Sequence, residues 1–85
     1  MTQYTNQPSQ AGTTTGVSNP DFNLVSILYH ALQAAQTYDT YIHDAEQQGD
    51  TVMAQFLRQI QNEDRTRAQY AMQLMLQRAS QSARR

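Results

Sequence analysis

Few side chains in this chain are suited to acid–base or metal chemistry. Its 85 residues include two histidines, His30 and His43, seven acids and six arginines, but no cysteine and no lysine. Without cysteine there is no thiolate nucleophile, no thiolate metal ligand and no disulfide framework. A zinc site needs three or four converging ligands, whereas the two histidines lie thirteen positions apart. We therefore expect no catalytic residue and no zinc site.

The segment around His43 is the strongest local candidate for a metal ligand. Asp39 precedes it by four residues and Glu46 follows it by three, and on a helix this spacing brings side chains to one surface. A surface hydrogen bond or ion pair is the simpler interpretation. The alternative is a metal-binding or redox protein with a non-standard iron site formed by His43, Glu46, Glu63 and Asp64.

Charge and polarity divide the chain into an arm and a folded part. The first twenty residues carry no charge, and we predict a disordered arm over 1–18 because so few apolar groups cannot offset the entropy of ordering. Residues 83–85 are expected to form a basic C-terminal end. A net charge of −1 argues against general nucleic-acid binding. The sequence shows neither a membrane-spanning apolar run nor a secretory signal, so we expect a cytoplasmic protein.

Residues 19–82 are predicted to form a helical hairpin, whose first helix covers about 20–47. Asn19 is expected to be the N-cap, with Pro20 at the first helical position, and Gly49 to supply the left-handed residue after the helix. The apolar positions alternate in spacing between four and three, which is typical of one helical face. They are Leu24, Leu28, Ala31, Ala35, Tyr38, Ile42 and Ala45.

The second helix is predicted over about 51–79, with Asp50 as its N-cap. Its stripe repeats the alternating spacing through Met53, Leu57, Ile60, Asp64, Arg67, Ala71 and Leu74. Neither helix contains an internal proline or glycine, and strand patterns are absent. The fold class is therefore all-α, an antiparallel αα-hairpin.

Two long helices in contact along one line bury too little apolar surface to be stable alone. We therefore expect a homodimer, or docking on another helical protein, and the simplest arrangement is a four-helix bundle with C2 symmetry. Asp64 and Arg67 lie on the predicted stripe, where they either pair across the interface with the second chain or face water. The predicted dimer core consists of Leu24, Leu28, Ala31, Ala35, Tyr38, Ile42, Phe56, Leu57, Ile60, Asp64, Arg67, Ala71 and Leu74.

The stretch 32–76 resembles half of a ferritin-like bundle of the rubrerythrin type. The resemblance rests on Tyr38 and Tyr41, on the turn 45–50, on the run 53–60 and on the segment from Ala68 onward. The chain is also similar to small helical modules of unknown function found in cyanobacteria. The resemblance implies a ferritin-like four-helix bundle on dimerisation.

In ferritin-like diiron proteins each half-bundle supplies one Glu from its first helix and a Glu-x-x-His pair from its second. Aligned on the turn 45–49 and on Ile60, these ligand positions fall on Ala31, Asp64 and Arg67. Alanine has no donor atom and arginine stays protonated, and no acid in this chain is followed three residues later by histidine. The resemblance therefore implies degenerate ligands, no cofactor, and a non-enzymatic helical dimerisation or interaction module.

Overall fold

A computed structural model describes residues 16–83 as two helices joined by a short turn. Helix α1 is Asn19–Gln47 and helix α2 is Thr51–Ala83, and the described residues contain no strand. The predicted all-α hairpin is confirmed. The predicted arm over 1–18 and the predicted basic end over 83–85 lie outside the described residues, except for 16–18 and 83. Neither α1 nor α2 is long and apolar enough to cross a membrane.

Helix α1 begins one residue earlier than predicted. Ser18, not Asn19, is the N-cap: its backbone is extended (φ −62°, ψ 155°) and its hydroxyl oxygen accepts a hydrogen bond from the Asp21 amide at 3.3 Å. Asn19 already belongs to the helix, so the prediction that it caps α1 was wrong. Pro20 then occupies the second helical position, where its missing N–H still costs no intrahelical hydrogen bond.

The turn between the helices follows the predicted pattern of a left-handed glycine and an aspartate cap. Gly49 has φ +71°, and its amide donates to the Glu46 carbonyl at 3.0 Å. The Asp50 amide donates to the Ala45 carbonyl at 2.9 Å, which completes a Schellman motif. The Asp50 carboxylate then accepts from the Met53 amide at 3.0 Å. The chain thus reverses within three residues while the terminal backbone groups keep partners.

Helix α2 extends four residues past its predicted end at residue 79 and reaches Ala83. Neither glycine nor proline occurs between Ala79 and Ala83, so no local signal terminates the helix there.

The seam between the helices uses the predicted face of α1. All seven of its positions, Leu24 through Ala45, are buried or half-buried.

On α2 the seam differs from the predicted stripe. It runs through Ala54, Leu57, Gln61, Asp64, Ala68, Ala71 and Met75, which are buried or half-buried. Leu57, Asp64 and Ala71 are shared with the prediction, whereas the helix is turned so that the predicted members Met53 and Arg67 are exposed. Alanine in the seam lets two helix backbones approach closely, and the larger side chains move to the flanks.

The hydrophobic core lies at the turn end of the hairpin. Ile42, Ala45, Ala54 and Leu57 form a buried cluster. Tyr38 and Ile60 pack against this cluster and are partly buried. This core holds the two helices together and orients the side chains on either flank of the seam.

Candidate functional site

Most of the buried residues of the hairpin are small, and many of its large apolar side chains are exposed. Five of the eight buried residues within 16–81 are alanines, and no large side chain in this range is fully buried. In a self-sufficient domain, large apolar side chains such as isoleucine, leucine and phenylalanine are among those most often buried. The exposed large apolar side chains are Val17, Phe22, Val25, Ile27, Tyr29, Leu32, Tyr41, Val52, Met53, Phe56, Tyr70, Met72 and Leu76.

The residues flanking the seam on one side form a surface that we call the apolar face. On each helix they recur every seven residues, which keeps them in line along the helix. Tyr41 of α1 and Met53 of α2 line one depression beside the turn, so the two lines lie on the same side of the hairpin. The rings of Tyr38 and Tyr41 are in contact, with centroids 5.8 Å apart. The apolar face consists of Ile27, Ala34, Tyr41, Met53, Phe56, Ile60, Glu63, Arg67, Tyr70 and Leu74.

The opposite flank of the seam, which we call the charged face, has a different composition. The Arg58 guanidinium and the Glu46 carboxylate form an ion pair there that joins the helices beside the turn. Val25 and Ala79 line a depression on this flank at the open end. The charged face consists of Val25, Leu32, Asp39, Glu46, Arg58, Arg65, Met72 and Ala79. It carries four charged side chains, whereas the apolar face carries two, Glu63 and Arg67.

Ion pairs near both ends of the hairpin fix the register of the helices. Beside the Glu46–Arg58 pair at the turn, Arg78 Nε lies 2.5 Å from Asp21 Oδ1 at the open end. The hydrogen bonds from Arg78 and then from Ser18 hold the pKa of the Asp21 carboxyl below its ordinary value. Acids on α1 thus meet arginines on α2.

Gln61 is a seam residue that the predicted stripe of α2 does not include. Its side chain is only 5% exposed, and its amide Nε2 donates at 2.8 Å to both the Ala35 carbonyl and the Asp39 carboxylate. The signal for it lies in the small residues spaced by seven, Ala54 and Ala68, between which Gln61 is centred. A polar residue on that line has to find partners on the other helix.

Asp64 and Arg67 form an ion pair within α2. The Asp64 side chain is 14% exposed and that of Arg67 is 54% exposed, so the pair runs from the seam out onto the apolar face. Ala31, the third position of the degenerate ligand set, is buried without a donor atom. Since Arg67 is a cation and Asp64 is engaged with it, these three residues do not fit an iron site.

The other candidate ligands are not brought together. His43 is exposed on α1, Glu46 pairs with Arg58, and the Glu63 carboxylate accepts from the Gln59 amide at 3.3 Å. No three His, Cys, Asp or Glu side chains converge to hold a metal ion anywhere in the described residues.

Most of the predicted dimer core already packs inside the hairpin. The exceptions are Phe56 and Arg67, which are exposed on the apolar face. Burial of these two residues by a second chain stays a prediction.

Comparison with protein-family models, with curated proteins and with solved structures gives no match.

Proposed function

We propose that this chain is a non-enzymatic helical interaction module that associates with a second copy of itself to form a four-helix bundle. The observation that carries the proposal is the inverted burial: alanines fill the seam while Phe56, Tyr41 and Ile27 stand outside it. Monomeric proteins rarely leave contiguous apolar surface of this kind uncovered, and such surface marks interaction sites.

The length of the helices supports the same proposal. Helices of 29 and 33 residues extend about 45 and 50 Å at 1.5 Å per residue. Two rods of this length touch along one line only, and most of each helix surface faces outward. A second hairpin laid against the first supplies two further helix contacts for each chain, which is the packing principle of four-helix bundles.

We further propose that the bundle is ferritin-like in its arrangement and has lost its metal centre. Support comes from the hairpin with its Gly49 turn and from the nature of the residues at the ligand positions, Ala31, Asp64 and Arg67. An ion pair stands where a carboxylate and a histidine would bind iron. In this proposal the pair stabilises the bundle and performs no chemistry.

Light scattering coupled to size-exclusion chromatography tests self-association. We expect about twice the 9.7 kDa chain mass at micromolar concentration. A folded monomer under these conditions, with a helical circular dichroism spectrum, would refute the homodimer.

Metal content tests the absence of redox chemistry. Protein purified without chelators should contain only trace iron and zinc by elemental analysis. Either metal near one ion per chain, retained through gel filtration, would overturn the proposal in favour of a metal-binding protein with a non-standard site.

A further inference from the structure

The ion pair on the apolar face lies near the middle of the hairpin. Helix α2 spans Thr51–Ala83, and Asp64 and Arg67 lie close to its central residue. The contacts between Asp21 and Arg78 and between Asp39 and Gln61 set the register of the helices. In this register Ala34 of α1 is level with the ion pair.

Apolar side chains continue from this centre towards both ends of the face. Ile27 and Tyr41 lie seven residues to either side of Ala34 on α1, and Ile60 and Leu74 lie to either side of the ion pair on α2. The face therefore has apolar side chains on both sides of a charged centre. A surface of this kind can pack against an inverted copy of itself.

The central ion pair determines how two such faces are aligned. A half-turn about an axis that is perpendicular to the helices and passes midway between Asp64 and Arg67 reverses the order of these two residues along the interface. The Asp64 of one copy then lies opposite the Arg67 of the other, and the reciprocal pair forms at the same time. Exposed Arg67, on a flexible stem, is the side chain able to cross the interface.

The exposed apolar area agrees with what a stable dimer needs. At about 200 Å² for a large side chain, the exposed fractions of Ile27, Tyr41, Met53, Phe56 and Tyr70 leave about 500 Å² of apolar surface on this face. A standard interface buries about 800 Å² per partner, of which about 60% is apolar. The apolar area exposed on this face is therefore nearly equal to the apolar area that one partner buries in a standard interface.

We propose that a second copy of the chain docks antiparallel on the apolar face, with the two turns at opposite ends of the bundle, and that Arg67 of each copy pairs with Asp64 of the other. This inference rests on the proposed self-association and adds the face, the orientation and the residues that determine both. The charged face stays in solvent, because docking there would desolvate Asp39, Glu46, Arg58 and Arg65 together.

Two variants whose central side chains carry opposite charge test whether Arg67 of each copy pairs with Asp64 of the other. Asp64→Arg makes both central side chains of a chain positive, and Arg67→Asp makes both negative. Each variant alone would bring four like charges together at the dimer centre. We expect self-association of each to weaken at least about 100-fold, since like charges across an interface cost several factors of ten in affinity. Mixing the two variants should restore dimers, as a heterodimer, to within about tenfold of the parent.

Asn62→Arg and Arg65→Asp provide the matched control. These residues have the same three-residue spacing and are joined by a hydrogen bond of 3.1 Å, but they lie away from the apolar face. Both control variants should dimerise like the parent, separately and mixed. Analytical ultracentrifugation across a concentration series measures the parent and these six variant samples.

The outcomes separate this inference from the proposed function. A monomeric parent refutes both. A dimeric parent whose central variants also dimerise normally refutes the assigned face and leaves self-association intact. Variants that dissociate without recovery on mixing refute the exchange between Asp64 and Arg67.

Single-cysteine cross-linking covers the case in which a charge variant does not fold. The chain has no native cysteine, so a short bis-maleimide joins only the cysteines introduced by substitution and shows whether they lie close together in the dimer. Ala34→Cys should cross-link between copies, and Leu32→Cys, on the charged face of the same helix turn, should not. Tyr41→Cys, near the turn, should link to Ile27→Cys in a mixed sample and not to itself. Cross-linking of Tyr41→Cys to itself would place the turns together and overturn the antiparallel arrangement.

Discussion

The amide nitrogen of Gln61 on α2 lies 2.8 Å from the carboxylate oxygen Oδ1 of Asp39 on α1. The same nitrogen is 2.8 Å from the carbonyl oxygen of Ala35. Gln61 is the one polar residue among the buried residues of the described chain, and both protons of its amide group are directed at the other helix. It joins the two helices near the middle of their seam, between the ion pairs at the two ends.

Gln61→Ala should lower the free energy of unfolding by about 1–3 kcal/mol, because the Asp39 carboxylate and the Ala35 carbonyl lose a buried donor. Gln59→Ala, an exposed glutamine on the same helix, should stay within about 0.5 kcal/mol of the parent. Urea unfolding at one fixed protein concentration measures both, since association contributes to stability. Equal effects at the two positions would mean that the buried amide has no special role.

Ser18→Ala should destabilise the protein by about 1 kcal/mol through loss of the α1 cap. Asn19→Ala should be neutral or slightly stabilising, because Asn19 Oδ1 is a buried oxygen without a hydrogen-bond partner. Thermal unfolding compares the stabilities of the two variants. If Asn19→Ala were the less stable of the two, Asn19 would be the functional cap.

Gly49→Ala should cost about 1–2 kcal/mol, because a left-handed backbone brings the new Cβ close to its own carbonyl oxygen. Beyond Gly49 and the adjacent Gln48 and Asp50, no atom lies within 4 Å of that Cβ position, so the cost comes from the local backbone. Gly49→Asn should cost less, since asparagine tolerates this conformation better. Equilibrium unfolding compares them, and a neutral alanine variant would show that the turn can change its conformation.

The contact between Asp21 and Arg78 should make stability depend on acid pH. The folded-state pKa of Asp21 is depressed, so the unfolded chain binds its proton first as the pH falls. The stabilisation is therefore complete above the ordinary pKa of about 3.8, and it is lost as the pH falls through the lowered folded value. The melting temperatures of the parent and of Asp21→Asn should differ at pH 6 and converge towards pH 2.

Arg78→Gln is the companion variant for this titration, and it should show the same convergence with the parent. Asp44→Asn removes an exposed carboxylate from the same helix and serves as the control. A pH-independent difference between the parent and Asp21→Asn would mean that this contact does not couple proton binding to folding.

Much of the architecture was determined by the sequence alone. The alternating spacing from Leu24 to Ala45 predicted the buried face of α1, because leucine, isoleucine and tyrosine at such intervals can be covered only from one side. Gly49 followed by Asp50 predicted the turn, since few other residue pairs accept a left-handed backbone and then cap a helix. The start of α1 was misplaced by one residue, because Ser18 and Asn19 are both good caps and only the backbone conformation separates them.

The tertiary structure decided how α2 is rotated and which polar groups meet. By hydrophobicity, Met53, Ile60 and Leu74 define the stripe of α2, but Met53 is exposed and Ile60 and Leu74 are only half-buried, while Ala54, Gln61 and Ala68 are buried in the seam. The physical reason is steric: alanines allow close contact between two helices, and larger side chains then lie at the edge of the seam, partly exposed as a second apolar surface. A pattern of hydrophobicity within one helix contains no information about the separation of its axis from the next. The partners of Gln61 and Arg78 depend on the same register, so they too could be identified only once both helices were in place.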